Sequence, residues 1–488
     1  MNRRTFLQMS MAVAGAAVLS DGRSLFAADD PKKWRQFEGE TVRVLTENTP
    51  PSLGIKGSLD GFTKLTGMKA ELTLENMDAL KEKMLLDLQG GKPEYHVNYI
   101  QCRPIGSVMY HFWEPTNTFV NLKTGKSLHP DLPDVPDCPN GLYEAFMPMH
   151  VESSSIQYDK SLWYGLPYDT AQGILFYRKD IFDKHHKKYE DQTGKKLMLT
   201  PNTTWEELFN QCVFLKKAEP GIAPFGLHYG NGWPIVSEFN SLGLAYGVKK
   251  DGFAGIENPF VGKKNPGPVF SEKSDYEAGL QTLEFMKKLR EVMHPDVVIW
   301  EWGGLGTAMA TGKIAMMRQC GEFVPYIEDP KASVAAGKTG YAVVPKGPSG
   351  INAYEMGCAS LAIPKALPMK EKKKAWLFIL WATGPEAQWT AFEKFYGTPV
   401  RKSAYKKARK LGWLDENSQF KKAQHLRVQE IELNKYIAGF DPGPKIPYYN
   451  EYLDVGGTEL SKWVTGEYKT AKEALNKYIQ RVNSLLPK

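Results

Sequence analysis

Tyr164-Gly165-Leu166-Pro167-Tyr168-Asp169 and, a few residues on, Leu175-Phe176-Tyr177-Arg178-Lys179-Asp180-Ile181-Phe182 form the stretch on which the reading of this chain turns. Within it Ile174-Leu175-Phe176-Tyr177 is a short apolar run of strand character. Downstream, Thr203 and Thr204 precede Trp205-Glu206-Glu207, a hydroxyl cap and an acidic first turn that predict a helix start. Upstream, Thr41-Val42-Arg43-Val44-Leu45 alternates as a strand does, residues 70–74 predict a second strand, and 97–100 a third. Between them an amphipathic helix over 77–88 is closed by Gly90-Gly91. Further on, a helix is predicted over 274–292, strands over 340–345 and 359–364, and mostly helix from 370 onward. Strands alternating with helices predict α/β layers with parallel pairing. Residues 104–155, rich in Pro, Asn and Asp, read as a long surface excursion, and no repeat of fixed period is visible.

At 488 residues the chain is long enough for two or three domains, taking roughly 150 residues per domain. Its 42% hydrophobic and 24% charged residues are ordinary globular usage, which excludes collagen-like, disordered and multi-span membrane classes. The net charge of +7 is too small and too scattered for a nucleic-acid footprint. The Lys370–Lys374 and Lys406–Lys410 runs lack interleaved aromatics and read as solvated helix faces. Five cysteines without a CxxC pair make neither a disulfide scaffold nor a zinc or redox site.

Residues 1–28 read as an export signal. Arg3-Arg4-Thr5-Phe6-Leu7 precedes an apolar run over 9–19 and then small residues, a pattern that resembles a bacterial twin-arginine signal. No later stretch reaches about 18 consecutive apolar residues, so no stable membrane insertion is expected. The signal region carries no cysteine for lipid attachment, which points to a freely diffusing, periplasmic protein. Catalysis that depends on ATP or NAD is disfavoured in that compartment.

Catalytic patterns fail in turn. HExxH and GxSxG are missing. The segment from Gly306 to Lys313 places five residues between its glycines, where a phosphate loop needs four, and Ile314 stands where a magnesium-holding hydroxyl belongs. The Gly303-Gly304-Leu305-Gly306 cluster opens a predicted helix and reads as a turn there, with backbone N–H groups that could face a ligand. SxxK at Ser403 and KTG at Lys338 occur in the wrong order for a serine acyl enzyme. His185-His186 sits in a lysine run, so no metal site and no cofactor is expected. Glu301 and Glu322 beside aromatics keep a glycosidase carboxyl pair open.

Aromatics beside turns are more informative. Trp300-Glu301-Trp302 places both indoles on one face if extended. Tyr229-Gly230-Asn231-Gly232-Trp233, Gly321-Glu322-Phe323 and Ile446-Pro447-Tyr448-Tyr449-Asn450 combine rings with amides or carboxylates. Rings suit the C–H faces of a sugar, and the polar groups suit its hydroxyls.

The stretch quoted at the outset resembles the extracellular solute-binding proteins of ABC importers, specifically the large sugar-binding family that includes maltose-binding protein. Thr204-Trp205-Glu206-Glu207-Leu208, Gly312-Lys313-Ile314-Ala315-Met316-Met317, Gly340 to Pro348 and Gly397-Thr398-Pro399-Val400-Arg401-Lys402-Ser403 follow in the family's order. The resemblance spans residues 41 to 485. It implies an α/β, two-lobe periplasmic-binding-protein fold of type II, with the ligand cleft between discontinuous lobes. One lobe would comprise 40–157 plus 362–400, the other 158–361 plus 401–488. The chain departs from the family in its longer 104–155 excursion and in Glu322, where many relatives carry Pro or Trp.

By that resemblance the protein is a monomeric receptor that captures a sugar or sugar alcohol and delivers it to ABC transporter permease subunits. Neither nucleic acid nor a membrane is a partner. Trp233, Trp302 and Phe323 are expected to stack on the ligand, and Tyr168, Asp169, Asn231 and Glu322 to bind hydroxyls. Asn48 and Gln101, at the ends of early strands, would serve the first lobe, and Gly357 would let backbone approach the ligand. Tyr448 adds a ring and a hydroxyl. Two other readings stay open: a charged solute received by Arg103, Arg318 or Arg401, and an exported carbohydrate-active hydrolase.

Overall fold

The computed structural model describes residues 31–101, 105–121, 124, 126, 136–138, 145–147, 150–151, 156–159, 162–249, 268–354, 357–395, 397–415, 418, 423–431 and 448–486. The export segment, Arg103 and nearly half of the 104–155 excursion lie outside the described residues.

Two sheets organise the chain. The first has five strands: β1 (Thr41–Glu47), β2 (Lys69–Glu75), β3 (Val97–Gln101), β6 (Leu166–Ala171) and β10 (Gly357–Ala362), in the order β2-β1-β3-β10-β6. β1 runs parallel to β2 and β3, with Val44 beside Val97, whereas β10 runs antiparallel to both β3 and β6. The second sheet is three-stranded, β7 (Gly173–Arg178) between β8 (Met316–Cys320) and β9 (Thr339–Ala342), all antiparallel. β4 (Ile156–Asp159) and β5 (Leu162–Tyr164) form a separate small ribbon.

The central strands β3 and β7 are buried along nearly their whole length, as strands covered on both faces must be. Helices supply the cover. On the first sheet these are α1 (Pro50–Lys56), α2 (Leu59–Thr66), α3 (Met77–Gln89), α9 (Met369–Ala382) and α10 (Pro385–Phe395); Phe62 packs at 5.4 Å on Phe378 and 5.3 Å on Trp381. Around the second sheet lie α4 (Lys179–Thr193), α5 (Trp205–Ala218), α6 (Trp233–Tyr246), α7 (Lys273–Arg290) and α8 (Trp302–Ala310). Two late helices, α13 (Tyr449–Thr465) and α14 (Ala471–Asn483), return to this lobe: Trp463 Nε1 donates to Leu283 O at 2.7 Å and the Tyr452 hydroxyl to Asn240 Oδ1 at 3.1 Å. Helix starts follow local chemistry. Asn76 Oδ1 caps α3 by accepting from Ala79 N at 3.1 Å, and Thr204 with Glu207 forms a reciprocal capping box at α5. Among the described residues no helix is long and apolar enough to cross a membrane.

The boundaries expected from sequence shift in two places. β6 and the start of β10 belong to the first sheet, because Ala359 pairs with both Gln101 and Asp169. The crossings therefore fall at Gln172 and between Tyr354 and Gly357, not at 157/158 and 361/362. Likewise, α11 (Lys402–Lys410) and α12 (Gln424–Ile431) place Tyr405, Ala408 and Leu426 in one cluster with Trp389 and Phe392 of α10, so the chain does not leave the first lobe at 400. The Gly303–Gly306 cluster opens a helix as expected, but as the first turns of α8 and not as a separate turn.

The two crossings touch. A Cβ on Gly173 would stand 2.1 Å from the Tyr354 ring, and the Tyr354 hydroxyl donates to Ala171 O at 2.9 Å. Gly173→Val should therefore force the crossings apart at about 1–3 kcal/mol, as overpacking in a filled interior does. Thermal melts should show a midpoint lower by a few degrees; an unchanged midpoint would show that the crossings tolerate separation.

Candidate functional site

A cleft of about 1110 Å³ opens between the two sheets. In open α/β sheets ligand sites lie beyond the carboxyl ends of strands, and this cleft obeys that rule. From the first lobe, Glu47 and Asn48 at the end of β1, Tyr99 and Gln101 on one face of β3, and Asp169 and Ala171 on one face of β6 line it. The start of α3 contributes Asn76 and Asp78. Across from them, α6 presents Trp233 and Ser237, α8 presents Trp302 and Thr307, and β8 presents Arg318 and Cys320. Glu322, Phe323, Tyr449 and Asn450 complete the wall.

Packing sets the aromatic side. Trp302 meets Phe323 edge-on at 4.4 Å, and Trp233 lies 6.0 Å from the His228 ring. Gly306 makes the first contact possible, since a Cβ there would stand 2.0 Å from Phe323. Asn231 is held by its own loop and by α13: its Oδ1 accepts from Gly232 N at 2.8 Å and from Ser461 Oγ at 3.3 Å.

Electrostatics dominate the floor, where Glu47 and Asp169 of the first lobe meet Glu322 of the second. Burial pushes the Glu47 carboxyl up to about 8, with the charge of Asp169 adding to the effect. Burial also raises Asp169, and it raises Glu322 well above the carboxylate range, again with help from Asp169. The Tyr99 hydroxyl donates to Asp169 Oδ2 at 3.2 Å. Opposite this group, Glu238 of α6, fully buried, accepts from His228 Nδ1 at 3.1 Å and pairs with Arg318 Nη2. Several buried polar atoms of cleft residues have no protein partner: Asn48 Oδ1, Asp169 Oδ1, Glu322 Oε1, His228 Nε2, and Arg318 Nε and Nη1. Among the described residues no group of three or more His, Cys, Asp or Glu could hold a metal ion.

Of the residues singled out in the sequence, the cleft gathers Asn48, Gln101, Asp169, Asn231, Trp233, Trp302, Glu322, Phe323 and Gly357. It does not gather Tyr168, Arg401 or Tyr448. Tyr168 alternates away from Asp169 along β6 and is buried, its hydroxyl 3.4 Å from Ser52 Oγ. Arg401 is buried at the α10–α11 junction, donating from Nε to Thr383 O at 2.5 Å and lying over Phe146. Tyr448 precedes the two cleft residues Tyr449 and Asn450 but is not among the lining side chains. Trp300 departs as well: it stacks on His294 at 4.9 Å while Trp302 starts a helix, so the two indoles do not share a face.

Glu47, Tyr99, His228 and Tyr354 escaped the sequence reading. Tyr99 carried a signal, being two residues from Gln101 on the same strand face. His228 and Tyr354 carried none, because their place depends on contacts distant in sequence.

Residues 58–423 match the family model described as bacterial extracellular solute-binding protein. The chain belongs to that family. Among curated proteins, this solute-binding protein is 23% identical over 379 residues to an erythritol/L-threitol-binding protein of Mycolicibacterium smegmatis, covering 76% of this chain and 72% of that one. Solved structures share its fold. A solute-binding protein of Agrobacterium radiobacter in complex with ribitol superposes with a TM-score of 0.68 at 20% identity, over 92% of this chain and 99% of that one. The maltose-bound MalE3 of T. maritima gives 0.69 at 19% identity, over 92% and 100%. The α/β two-lobe fold of type II is thus the fold of this solute-binding protein, and its family and neighbours are binding proteins.

The raised carboxyls link stability to pH. Glu47 titrates near 8 in the folded protein, well above its unfolded value, so the native state binds the extra proton. The stability it contributes is complete below about 4.5 and is lost as pH rises through about 8. Glu47→Gln mimics the protonated form. The variant's melting temperature should equal the wild type's near pH 5 and exceed it progressively toward pH 9. Parallel melting curves across that range would dispose of the assignment.

Proposed function

We propose that this solute-binding protein captures a neutral sugar or sugar alcohol in the cleft, in the periplasm, and delivers it to the permease of an ABC importer. The observation that carries the reading is the concentration of partnerless buried donors and acceptors in one cleft beside Trp233, Trp302 and Phe323. A buried polar group without a partner costs about 1–3 kcal/mol, and ligand hydroxyls relieve several such groups at once. The rings supply the flat apolar surface that C–H faces need. The relatives point the same way, since their ligands are erythritol or L-threitol, ribitol and maltose, and a further neighbour from Agrobacterium vitis holds D-mannitol.

The charge pattern weighs against an anionic ligand. Arg318 is already paired with Glu238, Arg401 lies outside the cleft, and Glu47, Asp169 and Glu322 make the floor acidic. Magnitude favours enclosure. Micromolar binding requires about −8 kcal/mol, roughly −0.7 kcal/mol for each of about 12 heavy atoms of a monosaccharide. Large ligands typically reach only about −0.3 kcal/mol per atom, so a small polyol needs contacts from both lobes. Ligand contacts to both walls favour the closed arrangement, which is what a permease reads.

Calorimetric and tryptophan-fluorescence titration with four- to six-carbon polyols, hexoses and maltose tests this. Saturable binding with the ligand recovered unchanged is expected, and a chemically altered product would make the protein a hydrolase. Trp233→Ala should weaken binding at least tenfold while leaving the melting temperature nearly unchanged. A large melting loss with normal affinity would make Trp233 a packing residue.

A further inference from the structure

We propose that His228, Glu238 and Arg318 form a recognition unit for a vicinal diol of the ligand, with His228 and Arg318 making the contacts and Glu238 as the positioning residue. The inference rests on the sugar-or-polyol reading and deepens it. Glu238 projects from α6 with no solvent exposure, and both of its oxygens are engaged on the cleft side. Oε1 accepts from His228 Nδ1 at 3.1 Å and from the His228 backbone N–H at 3.3 Å; Oε2 pairs with Arg318 Nη2. The two partners come from different elements, the loop before α6 and the middle of β8. One carboxylate therefore holds an imidazole and a guanidinium side by side.

What each presents to the cleft follows from that arrangement. With Nδ1–H committed to the carboxylate, a neutral imidazole offers a lone pair at Nε2. That atom is buried and has no protein partner. The guanidinium offers Nε–H and Nη1–H, likewise buried and without partners, and it is steadied by the Tyr354 ring at 5.2 Å. An acceptor thus lies beside two donors. A hydroxyl is both donor and acceptor, so one hydroxyl of a neighbouring pair donates a hydrogen bond to Nε2 while the oxygen of the other accepts from one of the two free guanidinium N–H groups. A single hydroxyl fills half of the unit. A carboxylate is disfavoured, because it cannot donate to Nε2 and because Glu238 has already neutralised Arg318.

Glu238→Gln is the direct test. An amide nitrogen toward either partner meets a donor, so the variant loses one bond or moves the imidazole proton to Nε2. Affinity for the polyol should fall at least tenfold, while affinity for the corresponding sugar acid rises, since the guanidinium has lost its counter-charge. A structural role alone would weaken both ligands together, and that result would overturn the proposal. Should that variant not fold, His228→Ala titrated with the polyol and its set of monodeoxy analogues decides the matter. At least one analogue should lose tenfold or more against the wild type but less than twofold against the variant; equal losses against both proteins would overturn the recognition unit alone. A wild type that binds no sugar or polyol would instead overturn the functional reading, and the recognition unit with it.

Discussion

Everything in this molecule hangs on how the chain passes from one sheet to the other without a linker. β6 ends at Ala171, β7 begins at Gly173, and only the buried Gln172 stands between them. A segment that short lets the lobes pivot but not slide, so the strand ends of both must face one volume. The return crossing is laid against it, through the Tyr354 hydroxyl on Ala171 O. A third segment joins them: Gln172 Nε2 donates to Gln429 O at 3.3 Å, and Gln429 Nε2 donates to Gln172 O at 3.4 Å. Few residues there absorb φ/ψ change, which is the arrangement expected of a hinge.

From that geometry the polarity of the cleft follows. Because β6 and β8 both end at the hinge, Asp169 and Glu322 meet at the floor, and Arg318 lies two residues before Cys320 on the same face of β8. The first lobe presents mostly acceptors, Asn48 Oδ1 and Asp169 Oδ1, while the second adds the guanidinium donors held by Glu238. Among the described residues lining the cleft, aromatic rings other than Tyr99 sit on the second lobe's side of this polar seam. A ligand with hydroxyls around a short carbon skeleton matches that division: polar edges toward the seam, C–H face toward Trp233 and Trp302.

Much of this was legible in the chain because the signals were local. The alternation over Thr41–Leu45 and the apolar run before Arg178 named strands that exist, and the Thr204 cap named a helix start that exists. The lobe borders were not legible, because whether residues 357–362 join one sheet or the other is decided by hydrogen bonds to Gln101 and Asp169, far away in sequence. The same limit explains the site. Asn231, Trp233 and Phe323 were visible beside turns, whereas Tyr168 was misplaced by one step of strand alternation and Arg401 by packing against Phe146. Glu238 gave no sign at all. A glutamate inside an apolar helix reads as a surface residue until its two cationic partners arrive from elsewhere in the fold.

The carboxyl floor also ties the two lobes to each other. Asp169 and Glu322 belong to opposite lobes and hydrogen-bond one another, and burial raises both carboxyls, so the pair holds a shared proton. Contact between the lobes at the floor therefore goes with a retained proton. A polyhydroxyl ligand fits the same groups, because its O–H groups can donate to carboxyl oxygens. Binding and closure then draw on the same groups: the carboxyls that meet across the cleft are also acceptors within reach of a ligand held there.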